Sequence, residues 1–414
     1  MKKFRTRRGF VALTTGLLAS QVLPARAPDT PQAGNEGEDY YDKLGVTKII
    51  NAAGTYTVLT ASTMPPSVQA AVNRAAKHPV RLLDLQRAAG EYLAKKLQCE
   101  AAMVTAGASS ALTLGTAACI DVMNKAPAEA VPMRVGNLKN EVLIQKAHRY
   151  SYDHALENCG VRFIEVESMQ DYEKGFTERT VMAHFYNAAE GGQISREDWV
   201  RVAHQHGMPC FNDAAADVPP ISNLWNYTKM GFDLVTFSGG KGIRGPQNAG
   251  LLLGRKDLIT GAAQTNNPFD DGVGRGMKVA KEQIVGMVAA VDYLLEQSDE
   301  ANLVEYNRRC KIISDAVKNI PTMQCSVVIP KIANHVPHLL LKYDPEKVGV
   351  TVREVQERLR AQKPPIELNP NTGHKPNQGI PSDANTLVVG VWMLQPGEPE
   401  IVGRRIRAAL TQKA

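Results

Sequence analysis

Beyond residue 100 the chain alternates two apolar patterns. Short runs are apolar almost throughout, and longer stretches repeat apolar positions every three or four residues. The runs predict strands at 102–105, 142–145, 162–166, 181–186, 210–212, 234–237 and 250–253. The longer stretches predict helices at 109–124, 152–158 and 196–206 among them, with 68–76 and 82–97 ahead of them. Strands that alternate with helices and read apolar on both faces build a mostly parallel, doubly covered sheet, an α/β fold. A long helix at 278–297 leads out of that part. Further on, strands at 339–343 and 387–392 and helices at 352–362 and 400–411 predict a smaller α+β part. Between them 364–381, rich in Pro, Gly and Asn, reads as a mobile loop. The expected organisation is a linker over 28–45, a large domain over 46–304 and a small C-terminal domain over 305–414.

The first 27 residues follow a different pattern. Lys2, Lys3, Arg5, Arg7 and Arg8 precede an apolar stretch from Val11 to Leu23, which ends in Pro24-Ala25-Arg26-Ala27. A basic region, an apolar region and a small-residue cleavage site make a secretory leader, and Arg7-Arg8 resembles a twin-arginine signal. The expected location is the periplasm, with a cytosolic protein that has a basic start as the alternative. Pro28 directly after Ala27 is a poor cleavage context, so the cut falls nearby or the segment stays as an anchor. The leader carries six bases and no acid, so its removal takes the formal charge of +6 to zero. That leaves no electrostatic case for a nucleic-acid partner. No later segment is apolar enough to span a bilayer. The six cysteines form no CxxC pair, no metal site is expected, and their apolar surroundings suit buried free thiols.

Two segments carry the chemistry: Phe211-Asn212-Asp213-Ala214-Ala215 and Ser238-Gly239-Gly240-Lys241-Gly242. Each follows a predicted strand, where α/β sheets place ligands. A lysine that can form a Schiff base and an acid for a pyridine nitrogen are what pyridoxal 5′-phosphate (PLP) requires. Alone, Lys241 would read as a surface lysine in a glycine turn; Asp213 at the matching strand end reverses that. Gly107, Ala108 and Ser109 open a predicted helix and are assigned to the cofactor phosphate, against an ordinary capped helix start. Ser238 adds a hydroxyl. His148, just after a strand, is a candidate to stack on the pyridine ring, with Tyr150 as competitor. His204 and His206 close a helix and read as capping residues.

These segments, with Ile50-Asn51-Ala52-Ala53-Gly54-Thr55 and the run from Asp233 to Gln247, resemble the selenocysteine synthase-like group of fold-type I PLP enzymes. The likeness runs from about residue 45 to 300 and is closest in character to the D-glucosaminate-6-phosphate ammonia-lyase branch. It implies a large PLP domain, a small C-terminal domain and active sites shared in a homodimer or larger homo-oligomer. It also makes Arg275 a candidate for a substrate phosphate or carboxylate, in its own or a neighbouring subunit's site, against a solvated loop arginine. The expected activity is that of a PLP-dependent lyase at Cα/Cβ of a small amino acid or amino-sugar acid, with Lys241 and Asp213 catalytic. Racemisation, aldol cleavage, seryl-tRNA selenium transfer and PLP binding without turnover stay open.

Overall fold

The computed structural model describes residues 37–131, 135–189 and 191–412. The twin-arginine leader therefore lies outside the described residues. Residues 1–47 and 48–414 are separate units. In the first, the helical turn Tyr40–Lys43 starts where the Asp39 carboxylate accepts from the Tyr41 amide at 2.9 Å.

The second unit opens with strand β1 (Ile50–Ala52) and then builds a seven-stranded sheet from β2 (Ala101–Thr105), β3 (Glu141–Gln145), β4 (Arg162–Val166), β5 (Thr180–Tyr186), β6 (Cys210–Asp213), β7 (Leu234–Ser238) and β8 (Gly250–Gly254). Their order is β2-β8-β7-β6-β5-β3-β4. All seven runs predicted from the sequence are strands. Only β8 opposes its neighbours, β2 and β7. The reason is the connection: residues 239–249 contain no crossover helix, so the chain can only return alongside β7 in the opposite sense.

Burial on both faces explains the continuous apolar runs. In β8, Leu251 and Leu253 join one core and Leu252 the other. Each such leucine contributes about 1.5–3 kcal/mol through the apolar area it removes from water. Helices Pro66–Ala76, Leu82–Leu97 and Lys281–Leu295 supply the first core. Helices Gly107–Asn124 and Lys256–Gln264 supply the second. Every residue from Ala111 to Asp121 is buried, because that helix is covered on all sides. The predicted helix at 152–158 is instead a 3-10 turn, Ser151–Asp153, running into a single α turn, His154–Glu157.

A three-stranded antiparallel sheet, β12-β10-β9, is formed by β9 (Gln324–Val328), β10 (His338–Lys342) and β12 (Thr386–Gly390). Strand β11 (Ile366–Leu368) pairs in parallel with β1, Ile50 opposite Ile366. Ile50 and Ala52 thus belong to the same core as Ile313, Leu339, Val389 and Ile406. The mobile loop expected at 364–381 is corrected here. It begins with β11, and Asn369, Asn371 and Thr372 are buried. The Thr372 hydroxyl donates to the Val388 carbonyl at 3.2 Å and accepts from the Val388 amide at 3.0 Å. Its polar residues satisfy buried backbone groups, which composition alone does not reveal. Among the described residues no helix is long and apolar enough to cross a membrane.

Candidate active site

Parallel pairing brings the carboxyl ends of β5, β6 and β7 to one edge, with Tyr186 opposite Asp213 and Asp213 opposite Thr236. Asp213 is buried, 3% exposed. One carboxylate oxygen accepts from the Ala215 amide at 3.0 Å, an Asx turn that ends the strand. The other accepts from the Tyr150 hydroxyl in a short bond. Burial pushes the Asp213 pKa up, and the bonds from Tyr150 and Ala215 and the charge of Lys241 oppose it.

Lys241 lies in the β7–β8 connection. The Gly239 amide donates to the Ala249 carbonyl at 2.8 Å, and the Gly245 amide to the Gly239 carbonyl at 2.7 Å, so the turn is pinned on both sides. Desolvation pushes the Lys241 pKa below the usual lysine range, while Asp213 and Asp217 pull it up. A lysine of lowered proton affinity beside a carboxylate is a ready nucleophile.

Helix Gly107–Asn124 starts at the same edge. Gly107 adopts φ +84°, and a Cβ on Gly250 would lie 2.6 Å from the Gly107 carbonyl carbon, so both glycines are needed for β8 to pass the helix start. The first-turn amides have no partner within the helix and attract an anion. Gly107, Ala108, Ser109, Asp213, Ser238 and Lys241 line one cavity of about 620 Å³. A carboxylate, an amine and an anion-binding helix start around one space fit PLP.

Two candidates lie elsewhere. His148 is buried off the cavity: its Nδ1 accepts from the Tyr186 amide at 3.3 Å, and its ring meets Phe185 edge-on at 4.5 Å. Burial pushes its pKa down to about 4. The turn Lys146–His148 swings that side chain inward, and the extended backbone of Tyr150 brings the phenol back to the cavity. Tyr150 stacks on Tyr186 at 3.9 Å as well as holding Asp213. Arg275 does not line the cavity either; it pairs with Asp270 at 2.7 Å and donates to Asn267 at 3.2 Å.

Sequence reasoning missed Asp217, which is buried and accepts from the Tyr227 hydroxyl at 3.2 Å. Burial lifts its pKa to about 6. It also missed the second wall of the cavity, made by Tyr56, Asn334, Asn369, Gln378 and Trp392. Nothing local in the sequence marks these residues. His204, Cys210 and Asp233 bring ligand-type atoms within 4.8 Å of one another. Asp233 is already engaged by Arg255 at 3.1 Å and by the Cys210 amide at 2.7 Å, a structural network. Of the cysteines, Cys119, Cys159, Cys210 and Cys310 are buried free thiols, Cys99 is half-buried and Cys325 is exposed.

A mostly parallel seven-stranded sheet with lysine, aspartate and helix start at one edge is the architecture of the fold-type I PLP enzymes. The chain belongs to the L-seryl-tRNA selenium transferase family, whose profile it matches over residues 49–322. It is 26% identical to the D-glucosaminate-6-phosphate ammonia lyase of Salmonella typhimurium (strain 14028s / SGSC 2262), covering 77% of this chain and 86% of that one. It is 27% identical to the 5'-C-glycyluridine monooxygenase-decarboxylase of Streptomyces sp, covering 89% and 92%. A solved D-glucosaminate-6-phosphate ammonia-lyase shares the fold with a TM-score of 0.75 at 24% identity, over 90% of this chain and 98% of that one.

Proposed function

We propose that this protein is a PLP-dependent lyase that works at Cα and Cβ of a small amino acid or amino-sugar acid. The observation that carries the reading is the convergence of Asp213, Lys241 and the Gly107–Ser109 helix start on one cavity. The relationship to an ammonia lyase over 86% of that enzyme's length supports the reaction class. The cofactor, when bound, supplies an electron sink for charge that develops at the substrate α-carbon.

The chain's own residues divide the remaining work. Lys241 would hold the cofactor and, once released, take the α-proton; its desolvated setting favours the neutral amine that a base needs. Asp213 would face the ring nitrogen through a charge-assisted hydrogen bond. Tyr150 positions that carboxylate by bonding its second oxygen, and its stack on Tyr186 keeps the phenol in place. The amides of Ala108 and Ser109, with the Ser238 hydroxyl, would receive the cofactor phosphate. Reduction of the yellow protein with borohydride followed by peptide mapping tests the assignment. The pyridoxyl label belongs on Lys241, and a label on any other lysine sinks it.

The basic, then apolar, leader with Arg7-Arg8 supports export in the folded state to the periplasm. Exchange of Arg7 and Arg8 for Lys should then strand activity inside the cell. A homodimer or larger homo-oligomer is supported by Val58, which is 88% exposed although it lines the cavity, as expected where a second copy completes a site.

A further inference from the structure

Two carboxylates act on Lys241, those of Asp213 and Asp217. Asp217 does not line the Lys241 cavity and is 6% exposed. The turn after β6 places it: the Asp217 amide donates to the Ala214 carbonyl at 3.1 Å, and its carbonyl accepts from Asn223 Nδ2 at 2.8 Å. The segment that follows packs on the lysine turn. A Cβ on Gly242 would lie 2.0 Å from the Val218 carbonyl oxygen, so only a glycine after Lys241 lets the two backbones approach.

On its other side Asp217 lines a separate cavity of about 220 Å³ with Asn187, Arg196, Tyr227, Lys331 and His335. The Tyr227 hydroxyl donates to Asp217 Oδ2 at 3.2 Å. Arg196 Nε donates to Asn187 Oδ1 at 2.7 Å, and its guanidinium lies 5.8 Å from the centre of the Tyr227 ring. His335 Nδ1 bonds the Pro330 carbonyl at 2.8 Å. Among the described residues Arg196 makes no ion pair with Asp217, so its charge favours the carboxylate without cancelling it. The titratable and charged groups around Asp217 are thus Asp213, Tyr186 and Lys241 on the side of the large cavity and Arg196, Tyr227, Lys331 and His335 on the other.

In the proposed reaction the Cα–H bond breaks, its proton goes to Lys241 Nζ and its electron pair to the cofactor. Lys241 is then a buried ammonium, a state that desolvation disfavours unless an opposite charge is near. Asp213 would at that moment be bonded to the ring nitrogen, so its charge is engaged there. We propose that Asp217 is the counter-charge of Lys241, a positioning residue that steadies the protonated state of the freed amine through space. The inference rests on the reading of Lys241 as the PLP-bearing base. Burial lifts the Asp217 pKa to about 6, so the counter-charge is complete only above that pH.

The test titrates the holoenzyme by its visible absorption, which reports whether the cofactor-bearing nitrogen of Lys241 holds a proton. Asp217→Asn keeps the shape of the side chain and removes the charge. Loss of a nearby negative charge disfavours the protonated form, so the spectral pKa should fall by about one unit. The wild type should also show a smaller spectral step near pH 6, where Asp217 titrates, and Asp217→Asn should lack it. Tyr227→Phe keeps the carboxylate but removes a bond that favours its charged form, so that step should move up by about half a unit. A PLP-loaded Asp217→Asn protein with the wild-type spectral pKa overturns the proposal and leaves the cofactor on Lys241 standing, since a merely structural role would not move that titration. Where Asp217→Asn does not fold, a step that is absent from the wild type or unmoved in Tyr227→Phe overturns it. A wild-type protein that takes up no PLP removes both readings.

Discussion

One wall of the Lys241 cavity comes from residues 105–248, where strand ends follow one another along a single sheet edge; the other comes from residues 53–58 and from beyond residue 330. The first holds a carboxylate, an amine and a helix start. The second holds carboxamides, a phenol and an indole. In the proposed reading, the chemistry that makes and breaks bonds falls where a parallel sheet presents its carboxyl ends, and recognition falls to the layer that closes over it. The contrast can be broken from either side.

The largest effect falls on the first wall. Lys241→Ala should cost about 10³-fold or more in turnover, as expected for a group that bonds directly to the reacting system. Steady-state rates within tenfold of wild type would remove Lys241 from the chemistry. Asp213→Asn should keep part of the PLP and lose about 10²-fold in kcat, measured beside the cofactor absorbance. An equal loss in a protein without cofactor would instead reduce Asp213 to a binding role.

Tyr150 and His148 give a sharper comparison, because they are two residues apart. Tyr150→Phe removes the short bond to Asp213 and should lower kcat about tenfold, the cost of one charge-assisted contact. His148→Gln should leave kcat within about threefold, since that ring is packed off the cavity. Its effect is on stability. Burial holds the His148 pKa at about 4 against an ordinary 6.5. The unfolded chain therefore binds the proton first, and stability present above pH 6.5 is lost as pH falls toward 4, by about 3 kcal/mol. Denaturant melts at pH 7 and pH 4.5 should show a loss in the wild type that shrinks in His148→Gln. An unchanged difference would place the acid sensitivity elsewhere.

The smallest effect belongs to the second wall. Asn369→Ala removes the bonds to Ala53 and Tyr56 and should raise the substrate KM about fivefold, with the cofactor spectrum intact. A fall in kcat at constant KM would mean that the two walls do not divide the work as drawn.

The same division governs what was legible in the sequence. The strand runs, Asp213, Lys241 and the Gly107–Ser109 start are local: each is a short pattern beside a strand end, and the sheet does the rest. His148 failed because the side-chain direction after a 3-10 turn is not encoded in its distance from the strand. Arg275 does not line the cavity of its own chain, where it pairs with Asp270 five residues away. The second wall was invisible because its parts are far apart and individually unremarked, and a Pro/Gly/Asn-rich composition described 364–381 as mobile although its amides fill buried positions. Asp217 stood four residues past Asp213, yet its raised proton affinity comes from burial, with the Asp213 charge adding to it and the bond from Tyr227 opposing it, and none of these is written in the local sequence.

The pairing of β1 with β11 joins residues 316 positions apart. During synthesis from the amino terminus, the segments that carry Asp213 and Lys241 emerge long before Ile366, so the sheet edge can take shape while the second wall does not yet exist. Ile50–Ala52 must wait for their partner, and the residues that follow them wait as well. A cofactor that arrives early meets a shallow, open trough, and a substrate that arrives early meets no specificity. The order in which the chain appears thus makes selectivity the last property the enzyme acquires.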